Sequence, residues 1–167
     1  MFARALSVLT LVASLSACQK PQPPTIVPKE ARVTAVGVTG IDLVVVVEAT
    51  NPNGFTVTAQ SFTGKARLAG KYDLGTVTVQ KAVVLPSKAK TTIEVPMTMP
   101  WADVQTLGTL LASPQPIPYA IDGTAKIGGE NLNVDVPFAV TGTITRDQIG
   151  AAAMKGFPAI PGWTAPP

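Results

Sequence analysis

Hydrophobic and polar positions along this chain recur mostly with a period of two. Over Thr91–Met99 the alternation is clean: Ile93, Val95, Met97 and Met99 fall on one face, Thr92, Glu94, Pro96 and Thr98 on the other. Such a pattern is the mark of a half-buried strand. Ile41–Thr50 reads Ile-Asp-Leu-Val-Val-Val-Val-Glu-Ala-Thr, a β-branched run that suits a central strand. Further strands are predicted over Arg32–Val38, Phe62–Leu68, Tyr72–Val79, Tyr119–Ile127 and Leu132–Thr143. In the last, Leu132, Val134, Val136, Phe138 and Val140 share a face. Ala69-Gly70-Lys71 and Gly128-Gly129-Glu130-Asn131 supply two hairpin links. A helical period occurs once in the body of the chain. Pro100 suits a first helical turn, Asp103 sits near its positive end, and Val104, Leu107, Leu110 and Leu111 form an apolar stripe. Gly108 weakens its middle and Ser113-Pro114 ends it. Strands joined by short turns, with a single helix, predict a mainly β, antiparallel sandwich of about seven strands.

Two segments echo each other. Ala66-Arg-Leu-Ala-Gly-Lys71 is similar to Ala125-Lys-Ile-Gly-Gly-Glu130, and Ile93-Glu-Val-Pro-Met97 to Val134-Asp-Val-Pro-Phe138. Pro96 and Pro137 each take an outward position and cannot donate a ladder bond, so both are expected on edge strands or at bulges.

The ends of the chain differ from its body. Met1-Phe-Ala-Arg4 carries one positive charge, and Ala5–Ala13 is apolar and uncharged. That run is too short to cross a hydrocarbon core of about 30 Å, so residues 1–17 are expected to be a cleaved signal peptide. Leu15-Ser16-Ala17-Cys18 resembles the lipobox of bacterial lipoproteins. The resemblance implies that Cys18 becomes the mature N-terminus and that its thiol is converted to a diacylglyceryl thioether, with acyl chains such as palmitate. Gln19 in the following position implies, by the sorting rule of enteric-type bacteria, an outer membrane lipoprotein facing the periplasm. Residues 18–29, with Lys20-Pro-Gln-Pro-Pro24, are expected to be a stiff tether. The folded domain is expected over 30–145. A proline-rich tail over 146–167 is expected to open with a short helix at Asp147–Lys155 and to carry Phe157 and Trp163.

Composition narrows the chemistry. The 167 residues include one Cys and no His, with 14% charged residues and a formal net charge of +3. No imidazole triad, zinc knuckle, iron–sulfur cluster or internal disulfide can be built from that set. Asp42 and Glu48 share a strand face but lie about 20 Å apart, whereas a glycosidase pair needs about 5 to 10 Å. Glu94 and Asp135 fall on outward faces of different strands. There is neither a Gly-rich phosphate loop nor a Gly-x-Ser-x-Gly elbow. No catalytic residue, cofactor or metal site is expected, and few aromatics argue against nucleic acid.

Two clusters remain. Asn51-Pro52-Asn53-Gly54 stops the valine strand with residues that cap turns, fix φ and tolerate left-handed backbone. It either fixes how two strands meet or offers a recognition loop. Lys65, Arg67 and Lys71 surround the first hairpin, with Lys81, Lys88 and Lys90 about the next loop. They form either a solvated face or a contact for anionic lipid, at about 1 kcal/mol per near-surface charge.

The valine strand closing in Asn51-Pro52-Asn53, Phe55, the Gly70 hairpin, Leu85-Pro86 before a Lys-rich turn and Ile93-Glu-Val-Pro-Met97 together resemble the WHy domain. This is the water-stress and hypersensitive-response domain of type 2 late-embryogenesis-abundant (LEA) proteins, and the resemblance runs from about Arg32 to Thr143. It implies an Ig- or fibronectin-III-like sandwich of seven strands and one helix. Members are folded and relatively apolar, in keeping with a mean hydropathy of +0.32. It further implies a non-catalytic role in desiccation, cold or osmotic stress, here at the cell envelope. Unfolded client proteins or anionic lipid are the partners expected, and the protein is expected to be a monomer. The competing expectation is an envelope interaction module that binds lipid or a protein complex.

Overall fold

The computed structural model describes residues 20–101, 105, 108, 112–113 and 115–156. Cys18, the signal segment, the apolar stripe Val104, Leu107, Leu110 and Leu111, and the aromatics Phe157 and Trp163 lie outside the described residues. Seven strands form two antiparallel sheets: β1 (Thr25–Val36), β2 (Gly40–Thr50), β3 (Val57–Leu68), β4 (Tyr72–Leu85), β5 (Lys90–Pro100), β6 (Ile117–Gly129) and β7 (Leu132–Ile144). One sheet has the order β1-β2-β5 and the other β4-β3-β6-β7. The expected antiparallel sandwich is the observed architecture, and its barrel does not close.

The valine run takes the central place expected of it. Leu43, Val45, Val47 and Ala49 of β2 point into the core at 5% exposure or less. Val46 faces outward yet is only 8% exposed, because its register partners are Glu30 on β1 and Glu94 on β5. Arg32 bonds both carboxylates, so its guanidinium crosses β2 at this level. On β5, Ile93, Val95, Met97 and Met99 are buried, as the alternation requires. Phe62 of β3 is fully buried between the sheets. Pro96 and Pro137 both lie on edge strands, β5 and β7, whose outer rims need no donor at those positions.

Three expectations are corrected. The first strand begins at Thr25, not Arg32, and ends at Val36, leaving Val38 in the turn at 64% exposure. Residues 25–28, expected in the tether, are therefore paired with β2, and Lys29 falls at the register shift between Pro28 and Glu30; Pro28 is admitted because β1 is an edge strand. Pro100 is the last residue of β5, paired with Gly40, and not part of a helical turn. Glycine at 40 is needed there, since a Cβ would stand 2.4 Å from the Met99 carbonyl oxygen. After it, Gln105, Gly108 and Ala112 are helical.

The packed unit also extends past residue 145. Helix α1 (Arg146–Gly156) opens with a capping box: the Gln148 amide N–H donates to Thr145 Oγ1 (3.3 Å), and the Thr145 amide N–H to Gln148 Oε1 (2.9 Å). Asp147 in its first turn and Lys155 in its last complement the helix dipole. It packs on β1 with Ile149 and Ala152 buried, so this part of the tail belongs to the domain.

Each seam between the sheets is bridged by a side-chain donor from the larger sheet. Tyr119 of β6 passes over Gly142 of β7 and donates its hydroxyl to the Ala31 carbonyl of β1 (3.1 Å). Lys81 of β4 donates its ammonium to the Glu94 carbonyl of β5. Edge carbonyls that would otherwise template a further strand are thus engaged within the molecule.

Candidate functional site

The turn after β2 builds a polar plug at one end of the sandwich. Asn51 is fully buried and Asn53 is 5% exposed, and these are the buried polar residues among those described. Asn51 Nδ2 donates to the carbonyls of Phe55 (2.8 Å), Leu85 (3.0 Å) and Pro86 (3.1 Å). Its Oδ1 accepts from the Asn53 amide N–H and from Asn53 Nδ2, both at 3.0 Å. The Asn51 amide N–H donates to the Ala89 carbonyl (3.0 Å), so this one residue ties the β2–β3 loop to the β4–β5 loop. An aliphatic side chain here would leave buried carbonyls without donors, which explains why asparagine stands at the end of so apolar a strand.

Asn53 extends the network to the N-terminal segment. Its Nδ2 donates to the Gln22 carbonyl (2.7 Å) and its Oδ1 accepts from the Gln22 amide N–H (2.8 Å). The side-chain amide thus pairs with the N–H and C=O of a single residue, as one strand residue pairs with another. Pro24, two residues on, is buried. The segment expected to be a stiff tether is held against the domain from Gln22 onward.

Lys88 completes the cluster from the other loop. Its φ of +56° places a non-glycine residue in left-handed backbone. Its amide N–H donates to the Asn53 carbonyl (3.0 Å), and its ammonium donates to the Pro52 carbonyl. Lys20, Gln22, Pro52, Asn53, Phe55 and Lys88 line a recess of about 520 Å³. Lys88 stands out in the sequence as one of the basic residues about this loop, but its link to the turn, like that of Gln22, escapes sequence reasoning because the contacts span some thirty residues of chain.

The cations of the first hairpin lie elsewhere and are occupied. Lys65 pairs with Asp73 (2.7 Å), and Arg67 with Asp122 (2.9 Å). Lys71 stands over the Tyr72 ring, 4.9 Å from its centroid. The bond from Lys65, helped by the Gly75 amide, holds the Asp73 carboxyl below its ordinary value. These contacts spend on the protein's own acids much of the field that Lys65 and Arg67 would offer a membrane.

Asp42 and Glu48 are likewise engaged within the fold. Asp42 accepts from the Thr98 hydroxyl (2.7 Å). Glu48 lies between Lys90 (3.3 Å) and Lys29 (3.5 Å), and the Lys90 bond foremost lowers its pKa. Among the described residues no three His, Cys, Asp or Glu side chains are placed to hold a metal ion, and no helix is long and apolar enough to cross a membrane.

Several solved structures share this fold. The solution structure of AT1g01470 from Arabidopsis thaliana is 17% identical with a TM-score of 0.59, covering 83% of this chain and 91% of that one. At2g46140.1, a candidate LEA protein, is 16% identical with a TM-score of 0.60, covering 73% and 70%. A protein from Archaeoglobus fulgidus is 10% identical at a TM-score of 0.51, covering 74% and 95%. No curated protein sequence matches. The family model of the late embryogenesis abundant proteins (LEA_2) matches residues 46–142, more than half of the chain, from within the valine strand into β7. The chain belongs to the late embryogenesis abundant (LEA_2) family.

Proposed function

We propose that this protein is a WHy-type, membrane-anchored lipoprotein that protects the cell envelope during desiccation, cold or osmotic stress without catalysing a reaction. Membership in the LEA_2 family is the observation that carries the protective role. Leu15-Ser16-Ala17-Cys18 supports the anchor, with acyl chains on Cys18 and, given Gln19, placement on the periplasmic face of the outer membrane. Two or three acyl chains suffice for durable attachment, at about 0.8 kcal/mol per buried CH₂.

The described surface suits a domain that must stay apart from its neighbours while water is scarce. Its exposed large apolar residues, Val27, Val38, Val84 and Met154, are scattered over β1, two loops or edges and α1. Isolated side chains of this kind make no adhesive patch. Such a domain, held at high local concentration on the membrane, would act as a spacer between dehydrating client proteins. Drying or freezing a labile enzyme with the purified protein tests the role, with albumin at equal mass as control. Protection no better than albumin's refutes it. Mass spectrometry of the mature N-terminus tests the anchor separately, and an unmodified Cys18 thiol refutes that.

A further inference from the structure

The recess beside Asn53 brings together two lysines that have no carboxylate partner among the described residues, Lys20 and Lys88. Both are positioned by the same turn. Asn53 grips the Gln22 peptide and so sets Lys20 at the rim, while the Asn53 and Pro52 carbonyls hold the left-handed Lys88 opposite. Among the described residues no acid lines the cavity, and Phe55 gives it an apolar wall. A volume of about 520 Å³ suits a small anionic group with part of its carbon skeleton. Two lysines on one polar recess, the Lys88 ammonium held there by the Pro52 carbonyl and neither paired with an acid among the described residues, form a receptor for a phosphate-type anion.

Its place in the chain suggests where that anion comes from. Cys18 precedes Lys20 by two residues, a span of at most about 7 Å. Lys71 lies past the far end of β3, whose 12 residues cover about 40 Å. If Cys18 is inserted in the bilayer, the recess opens at headgroup level and the Lys71 hairpin points away. We infer that the Lys20–Lys88 recess binds the phosphate of an anionic lipid headgroup, orienting the domain on the membrane with its Asn-Pro-Asn end down. The orientation, though not the binding itself, rests on the anchor proposed above.

The test uses the mature chain from residue 18 onward bearing Cys18→Ser, so that neither acyl chains nor the apolar leader masks the contact. Co-sedimentation is measured with phosphatidylglycerol vesicles and with phosphatidylcholine vesicles, and inorganic phosphate is added as competitor. The expected result is binding to the anionic vesicles alone, weakened about 30-fold by Lys20→Gln with Lys88→Gln, at about fivefold per lysine. Lys20→Gln by itself disturbs no bond of the plug and should give the fivefold step with an unchanged melting temperature. Lys65→Gln with Arg67→Gln should leave binding as it was. Competition by millimolar phosphate would mean that the free anion also fits; its absence would assign the site to the headgroup in its bilayer. Equal binding to both vesicles, or wild-type binding by the double lysine variant, overturns the inference. An unmodified Cys18 in the native protein would remove the anchor while leaving this binding result standing.

Discussion

Replacing Asn51 by Ala removes the centre of the polar plug, and the size of the effect follows from its contacts. The side chain supplies two amide hydrogens to three carbonyls, of which Leu85's is buried, and one oxygen to two donors of Asn53. Each bond contributes about 1 kcal/mol net, and a buried group left without a partner costs about 1–3 kcal/mol. Because the three carbonyls share two hydrogens, the terms do not simply add. A loss of about 3–4 kcal/mol is expected. In a domain of this size that corresponds to a fall in Tm of about 10–15 °C, read by circular dichroism or calorimetry. Asn51→Asp sharpens the experiment. It keeps the acceptor for Asn53 but turns a second oxygen toward three carbonyls at 2.8–3.1 Å. At neutral pH it should destabilise at least as much as alanine. The new carboxyl would have a raised pKa in the folded state, so stability should recover as pH falls through that value and a donor is restored. A Tm within about 2 °C of wild type for both variants would refute the structural account. Unchanged stability together with lost protection would instead make the turn a recognition element.

Other features give independent checks. Tyr119→Phe removes the hydroxyl donor to Ala31 and should lower stability by about 0.5–1.5 kcal/mol in urea unfolding. Gly142→Ala should cost more than that, since its Cβ would stand 2.5 Å from the Tyr119 hydroxyl and displace the ring. Phe62→Ala, which empties a fully buried site, should cost about 3–5 kcal/mol. The lowered pKa of Glu48 means that its pairing stabilises the fold above the ordinary carboxylate range and is lost as pH falls through the folded value. Glu48→Gln should therefore flatten the acid side of the stability profile, with a smaller difference at high salt. Cys18→Ala should leave a chain that carries no acyl group and keeps residues 1–17, read by mass spectrometry, and cleavage before residue 18 in this variant would count against the lipobox reading.

Local chemistry made much of this fold legible. The β2 valines and the β5 alternation report burial directly, because a strand's side chains alternate between environments. Pro96 and Pro137 announce edges because neither has an N–H to give. Thr145-Arg-Asp-Gln148 is a capping box that the sequence displays but that only the docked helix makes persuasive. Non-local pairing was less visible. Pro28 concealed the start of β1, since a bulge on an edge strand tolerates what a central strand would not. Lys65 and Arg67 look free in the sequence; Asp73 and Asp122 meet them only once hairpin and sheet register are set. Asn51-Pro52-Asn53 is recognisable as a turn, but its grip on Gln22 and on the β4–β5 loop depends on contacts across about thirty residues.

The plug has one consequence that bears on life at low water activity. Every buried polar side-chain atom among the described residues has a hydrogen-bond partner, and for Asn51 and Asn53 those partners are peptide groups and each other. Many proteins complete such networks with resident solvent, and drying takes that solvent away. Here the joint that holds three segments of chain together is closed by the protein's own donors and acceptors and does not depend on such solvent. Its bonds should tighten as the surrounding dielectric falls, so the part of the molecule nearest its N-terminus would be among the last to loosen as the cell dries.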